Sequence, residues 1–201
     1  MTSANEVESE SIRDRILDAA ESCVLELGYD ARLHARIAER SGFSRPTVYK
    51  YVGDQAAIVE ALFQREVNKF FVVLDAVLRD EHSNLEIRFV DAIVFTVQYA
   101  RNHEVLQKGL RDHPELVLPW FTVRSGPIVA LTSGLMTPHF ERLFTPDELS
   151  TVDPKAISEW AFRIISSLIV TQGVIETPDE DSLRDFVRSL LRIAFMAPPH
   201  T

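Results

Sequence analysis

The stretch Ser44-Arg45-Pro46-Thr47-Val48-Tyr49-Lys50 gathers two cations and three hydroxyl side chains into seven residues. Arg and Lys reach phosphates or guanine edges, and Ser, Thr and Tyr hydroxyls donate to phosphate oxygens. The chemistry these types serve is recognition of a duplex rather than bond making. Catalytic patterns are missing: the chain has no Gly-x-Ser-x-Gly, no phosphate-cradling glycine loop and no His-Glu-x-x-His. It also lacks the Glu-x-x-His of a di-iron bundle,. His103, His113 and His139 are scattered, so neither a metal nor a cofactor is expected, and the chain is not expected to be an enzyme.

Charge singles out the same region. The 201 residues carry a formal net charge of −9, and a pI near 5.2 argues against a nonspecific nucleic-acid coat,. Residues 1–30 hold two basic and eight acidic side chains. Residues 32–50 reverse the sign: Arg32, Arg36, Arg40, Arg45 and Lys50 stand against Glu39 alone. An acidic chain with one basic segment reads as a local contact surface.

The elements around that segment follow from periodicity and caps. Ser11–Leu27 is an amphipathic helix with Ile12, Ile16, Ala20, Cys23, Val24 and Leu27 at helical spacing, ended by Gly28,. Leu33–Arg40 is a short second helix, and Gly42 suits the left-handed residue after it,. Ser44 caps a third helix with Pro46 in its first turn, where a backbone N–H has no intrahelical partner and proline costs little,. Asp54 is positioned to cap a fourth. Two short helices joined by a glycine turn make a helix-turn-helix, whose second helix enters the major groove. Ala38 is small where the helices cross, Val48 points back into the crossing, and Ile37, Phe43 and Tyr51 complete a small core. Arg45, Thr47, Tyr49 and Lys50 are left to face outward.

The rest of the chain reads as helix throughout, so the fold class is all-α. Gln55–Arg79 and Leu85–Asn102 are long helices separated by a break at 80–84. Shorter helices follow, interrupted at Pro114 and Pro119. Another starts after Ser125, with Pro138 able to kink or divide it. Thr145–Glu148 and Thr177–Glu180 both spell Thr-Pro-Asp-Glu, a capping box, and Asp153 caps a helix over Pro154–Val174,. That helix is apolar on nearly every side, with Arg163 in need of a partner; the last, Pro178–Met196, has one apolar stripe,. Residues 1–10 read as a disordered lead, 11–54 as the DNA-binding domain and 55–201 as a second domain. No apolar run approaches the roughly 20 residues of a membrane span, and the acidic start is no secretory signal. Cys23 is the only cysteine, which leaves no disulfide and points to the cytoplasm,.

The segment ILDAAESCVLELGYDA…RIAERSGFSRPTVYKYVGDQAAIVEAL resembles the N-terminal domain of TetR-family transcriptional regulators. The resemblance covers about residues 12–62. It implies a three-helix DNA-binding domain with a helix-turn-helix, followed by a C-terminal helical bundle for ligand binding and dimerisation. By position, Ser44, Arg45, Pro46, Thr47, Tyr49 and Lys50 stand where that family meets DNA. Arg32 and Arg36 are added as candidates, because Arg32 replaces the threonine usual at the second helix's N-cap. Gln55 replaces a common lysine, and His34 stands where an apolar residue is usual. The implied partners are double-stranded operator DNA, a second copy of the chain, and a small apolar or amphipathic effector such as a fatty acid, an acyl-CoA or a lipophilic xenobiotic. The effector candidates are Phe89, Phe95, Tyr99, Trp120, Phe121, Arg124 and Trp160, with Arg124 orienting an anionic head group. The homodimer candidates are Ile157, Ile164, Leu168, Thr171, Leu183, Phe186, Val187 and Leu190. The expected activity is that of a repressor released by its effector. A helical protein-interaction adaptor without DNA binding is the alternative; it accounts for the apolar last helices but not for the basic hairpin.

Overall fold

In a computed structural model the described residues are 2–29, 32–79, 85–143 and 153–195. Their helices are α1 (Thr2–Leu27), α2 (Leu33–Ser41), α3 (Arg45–Val52), α4 (Gln55–Leu78), α5 (Leu85–Asn102), α6 (Glu104–Asp112), α7 (Pro114–Phe121), α8 (Gly126–Leu143), α9 (Pro154–Val170) and α10 (Glu180–Phe195). Among the described residues no strand occurs, and no helix is long and apolar enough to cross a membrane. The fold is all-α. The break read at 80–84 and the capping box at Thr145–Glu148 lie outside the described residues.

Two compact units divide the chain. The first is Met1–Phe70 with Glu104–Val117; the second is Phe71–His103 with Leu118–Thr201. The sequence boundary at residue 54 falls at the end of α3, while the first unit runs on because Ile58, Val59, Leu62 and Val105 pack into its core. The helix of the first unit begins at Thr2, so residues 2–10, read as a disordered lead, are helical. No glycine or proline precedes Gly28 to interrupt them,.

The first core is built from the apolar stripes of α1, α2, α3 and α4. Ile16, Leu17, Val24, Leu33, Ile37, Val48 and Ile58 are all fully buried. Cys23 belongs to this core at 2% exposure, and burial pushes its thiol above the ordinary cysteine range. Arg65 of α4 fastens α1 from the side. Its guanidinium donates to Asp18 Oδ1 at 2.7 Å, Glu21 Oε2 at 2.5 Å and the Leu17 carbonyl at 3.3 Å. A short α6 carries Val105 into the same core.

In the second unit α5 is the central packing element. Val90, Ile93, Val94 and Val97 meet Leu183, Val187 and Leu191 of α10, and Phe89, Ile165 and Leu168 pack against that cluster. Arg184 pairs with Asp91 across the same contact. His139 of α8 is buried between Asp75, 3.0 Å from Nε2, and Arg142, 2.9 Å from Nδ1. Arg142 has only donors, so Nδ1 accepts and Nε2 carries the hydrogen that Asp75 receives.

Several local readings change. α8 continues through Pro138 to Leu143 without dividing, and Pro119 lies inside α7. α9 ends at Val170 rather than Val174. Its buried face carries Ser158 and Ser166 besides apolar groups, while Trp160 is 37% exposed. Ser158 Oγ donates to the Pro154 carbonyl at 2.8 Å, so this helix buries hydroxyls that an all-round apolar reading misses. Arg163 lies on the exposed side and pairs with Glu159 one turn earlier. The last helix is capped by Asp179, not Thr177. Asp179 Oδ1 accepts from Ser182 N at 2.8 Å, while the Thr177 carbonyl and hydroxyl accept from Arg101 at 2.7 and 2.9 Å. Asp153 caps α9 as expected, accepting from Lys155 N at 2.9 Å.

Two glycines separate backbone strain from packing. Gly42 ends α2 at φ 76°, and Gly134 sits mid-helix in α8; a Cβ at either meets nothing within 4 Å. Gly42→Ala is expected to destabilise by about 1–2 kcal/mol, the left-handed penalty. Gly134→Ala is expected to stabilise by about 0.5–1 kcal/mol through helix propensity. Urea unfolding of each variant measures both signs. The Asp179 cap adds a pH dependence: hydrogen bonds from the Ser182 backbone and side chain hold its carboxyl below the usual aspartate range. A depressed folded pKa means the cap stabilises above the unfolded value and fades as pH falls through the folded one. The Tm difference between wild type and Asp179→Ala is therefore expected to be a few degrees near neutrality and to close in acid.

Candidate nucleic-acid interface

The interface starts from a turn. α2 ends at Gly42 in the left-handed region, three residues before α3 begins. Ser41 Oγ accepts from Phe43 N and donates to the Ala38 carbonyl, both at 3.4 Å. Arg15 of α1 lies over the Phe43 ring, 4.7 Å from its centroid, which ties the turn to α1.

Ser44 then caps α3. Its backbone is extended and its Oγ accepts from Thr47 N at 3.3 Å, with Thr47 Oγ1 at 2.8 Å. Pro46 falls in the first turn, as its fixed φ requires,. At the other end Gly53 N donates to the Tyr49 carbonyl at 3.0 Å, and Asp54 Oδ1 caps α4 through Ala57 N at 2.9 Å. Val48 and Val52 point into the core, and Tyr51 is half-buried against it. Helical geometry therefore turns Ser44, Arg45, Pro46, Tyr49 and Lys50 outward; all five are exposed, and Thr47 is half-buried. Lys50 Nζ rests 5.3 Å from the Tyr51 ring centroid.

α2 contributes unevenly. Arg36 is exposed and pairs with Glu39 at 3.4 Å; Arg40 pairs with Glu26 of α1 at 2.6 Å. Arg40 holds the Glu26 carboxyl below the usual glutamate range. Arg32 is exposed at the N-cap of α2, and no side-chain hydrogen bond caps that end. Gln55 donates to the Tyr29 carbonyl at 3.2 Å, inside the protein's own fold. His34, a departure whose polar side chain reads from the sequence as plain packing or capping, stacks its ring on that of Tyr49. The signal available was its polar type at an apolar position.

Six of the seven effector candidates form three pairs in the second unit. Phe89 stacks on Trp160 at 5.9 Å, Phe95 and Tyr99 lie 6.0 Å apart along α5, and Arg124 covers the Trp120 ring at 4.7 Å. Trp120 is buried and Phe121 half-buried. The dimer candidates divide. Leu183 and Val187 are 0% and 1% exposed, filling their own protomer's core, so neither offers surface to a partner. Leu168 packs partly against that core, while Ile157, Ile164, Phe186 and Leu190 are half-exposed and Thr171 is exposed.

Residues 16–62 match the family model described as bacterial regulatory proteins, tetR family. An HTH-type transcriptional regulator of Mycobacterium tuberculosis (strain ATCC 25618 / H37Rv) is 27% identical over 185 residues, which is 89% of this chain and 85% of the relative. The TetR family repressor AlkX of Dietzia sp. strain DQ12-45-1b shares the fold. Its TM-score is 0.67 at 17% identity, over 90% of this chain and 94% of that one. FadR of Bacillus subtilis, solved in complex with stearoyl-CoA, shares it at a TM-score of 0.52 and 20% identity, over 89% of this chain and 95% of that one. The matched segment spans the capped, outward-facing α3 and the glycine turn before it, and over that segment the chain is similar to bacterial regulatory proteins of the tetR family.

Proposed function

We propose that the protein is an effector-released repressor that acts as a homodimer in the cytoplasm, with α3 as its recognition helix. The carrying observation is the division of α3: Val48 and Val52 are buried while Arg45, Tyr49 and Lys50 are exposed. In this reading Arg45, Thr47 and Lys50 meet base edges or phosphates, and the Tyr49 hydroxyl donates to a phosphate. Ser44 and Pro46 set the helix start against the backbone. Arg32 and Arg36 add phosphate contacts from α2, and the weak exposed Arg36–Glu39 pair yields to a phosphate at small cost.

The homodimer is formed by α9 and α10 through Ile157, Ile164, Phe186 and Leu190, with Leu168 and Thr171 at its margin. Leu183 and Val187 belong to the protomer core instead. The effector is apolar or amphipathic and binds the second unit. Phe89, Phe95, Tyr99, Trp120, Phe121 and Trp160 supply apolar surface, and Arg124 meets an anionic head group. The stearoyl-CoA held by the B. subtilis neighbour supports that chemical class. Release is a population shift: the effector favours a protomer arrangement whose two recognition helices mismatch successive major grooves, about 34 Å apart on B-DNA.

Fluorescence anisotropy with a duplex selected in vitro from a randomised library tests the reading. Log Kd should rise linearly with log salt, and Lys50→Ala should lower the slope by about one for each Lys50 in contact. Tyr49→Phe keeps the ring and removes the hydroxyl, so binding should weaken about 10-fold with Tm unchanged, as expected for one hydrogen bond to a charged group. Equal loss of fold and binding would point to a structural helix hairpin. Sedimentation should give a dimer at micromolar concentration; a monomer there would remove the paired recognition helices on which release depends.

A further inference from the structure

Three contacts close a ring around Tyr49. Its backbone carbonyl accepts from Gly53 N at 3.0 Å. The Gly53 carbonyl lies 2.9 Å from His34 Nε2, and a carbonyl only accepts, so Nε2 carries the hydrogen and donates,. The His34 ring then lies on the Tyr49 ring, with centroids 4.2 Å apart and planes 15° from parallel. A residue of α2 thus holds the side chain of a residue of α3 by way of the cap that ends α3. Gly53 takes φ 79°, ψ −152°, and a Cβ there would come within 2.8 Å of Ala57 Cβ. The cap therefore requires glycine.

Tyr49 needs such a hold. It is 53% exposed, and an exposed side chain ordered only on binding costs affinity,. We infer that His34 is a positioning residue for duplex binding: it sets the Tyr49 ring in advance, so the phenol hydroxyl meets DNA already ordered. The inference rests on α3 being the DNA-facing helix. An apolar residue at position 34, the kind the family resemblance leads one to expect, would pack against Tyr49 without donating to Gly53. The imidazole does both, which gives the departure at this position a role.

A double-mutant cycle on the full chain tests the assignment, using anisotropy against the duplex that the wild type selects in vitro from a randomised library. His34→Ala should weaken binding about 3- to 10-fold in the wild-type background, the cost of one side chain left to be ordered. In the Tyr49→Phe background, where the hydroxyl is already gone, the same substitution should change binding less than about 2-fold. The Tm losses should instead be the same in both backgrounds, because the stack and the Gly53 contact survive in Tyr49→Phe. His34→Phe retains a stacking ring, so it keeps the cycle available if the alanine variant does not fold. It should show smaller coupling of the same sign. Equal binding penalties in both backgrounds would overturn the positioning role while leaving α3 as a DNA reader. If the wild type binds no duplex with a salt dependence, the function reading falls and the assignment of His34 falls with it.

Discussion

An eight-residue helix does not hold together alone in water. That constraint governs α3 and, through it, every outward side chain of the interface. What fixes α3 is the burial of Val48 and Val52 among Ile16, Leu33, Ile37 and Ile58, with a hydroxyl cap at one end and a glycine cap at the other. Burying one valine side chain is worth about 1.5–3 kcal/mol, and an N-cap about 1 kcal/mol. Both terms act on the same two turns, so a small core can set the direction of Arg45, Tyr49 and Lys50. The Arg65 hub lies farther back in the same chain of dependence, since it holds α4 onto α1 and so closes the core that receives Val48.

The positive segment is less positive in place than in sequence. Arg40 is committed to Glu26, and Arg36 leans on Glu39. The pairs are exposed, and such pairs contribute about 0–1 kcal/mol each, so they order the arginines without binding them firmly. The acids offset part of the charge of α2, while Arg45 and Lys50 of α3 are exposed. Gln55 is turned inward to Tyr29 and adds no charge.

The sequence made local chemistry legible. The caps at Ser44, Asp54 and Asp153 rest on contacts two or three residues away, and each is found where the residue types call for it. Misreadings arose where a distant partner decides. The sequence pattern places the last cap at Thr177, but Arg101, 76 positions away, takes up the threonine and Asp179 caps the helix instead. The stripe of α10 was visible as periodicity, but periodicity does not say what covers a stripe. α5 covers Leu183 and Val187, while Phe186 and Leu190 stay half-exposed. The serines of α9 illustrate the same limit, since Ser158 and Ser166 are buried in a helix whose sequence reads as apolar. The stack of His34 on Tyr49 joins residues 15 apart on two helices, and only the folded crossing brings the rings together.

Cys23 has a practical consequence. It is the chain's single thiol, sealed in the first core and held toward its protonated, unreactive form. Thiolate is the species that maleimide dyes and spin labels attack. The native protein therefore offers a nearly silent background for spectroscopy: a cysteine placed on any exposed surface would take the label selectively, without first removing Cys23 from the core it helps to fill.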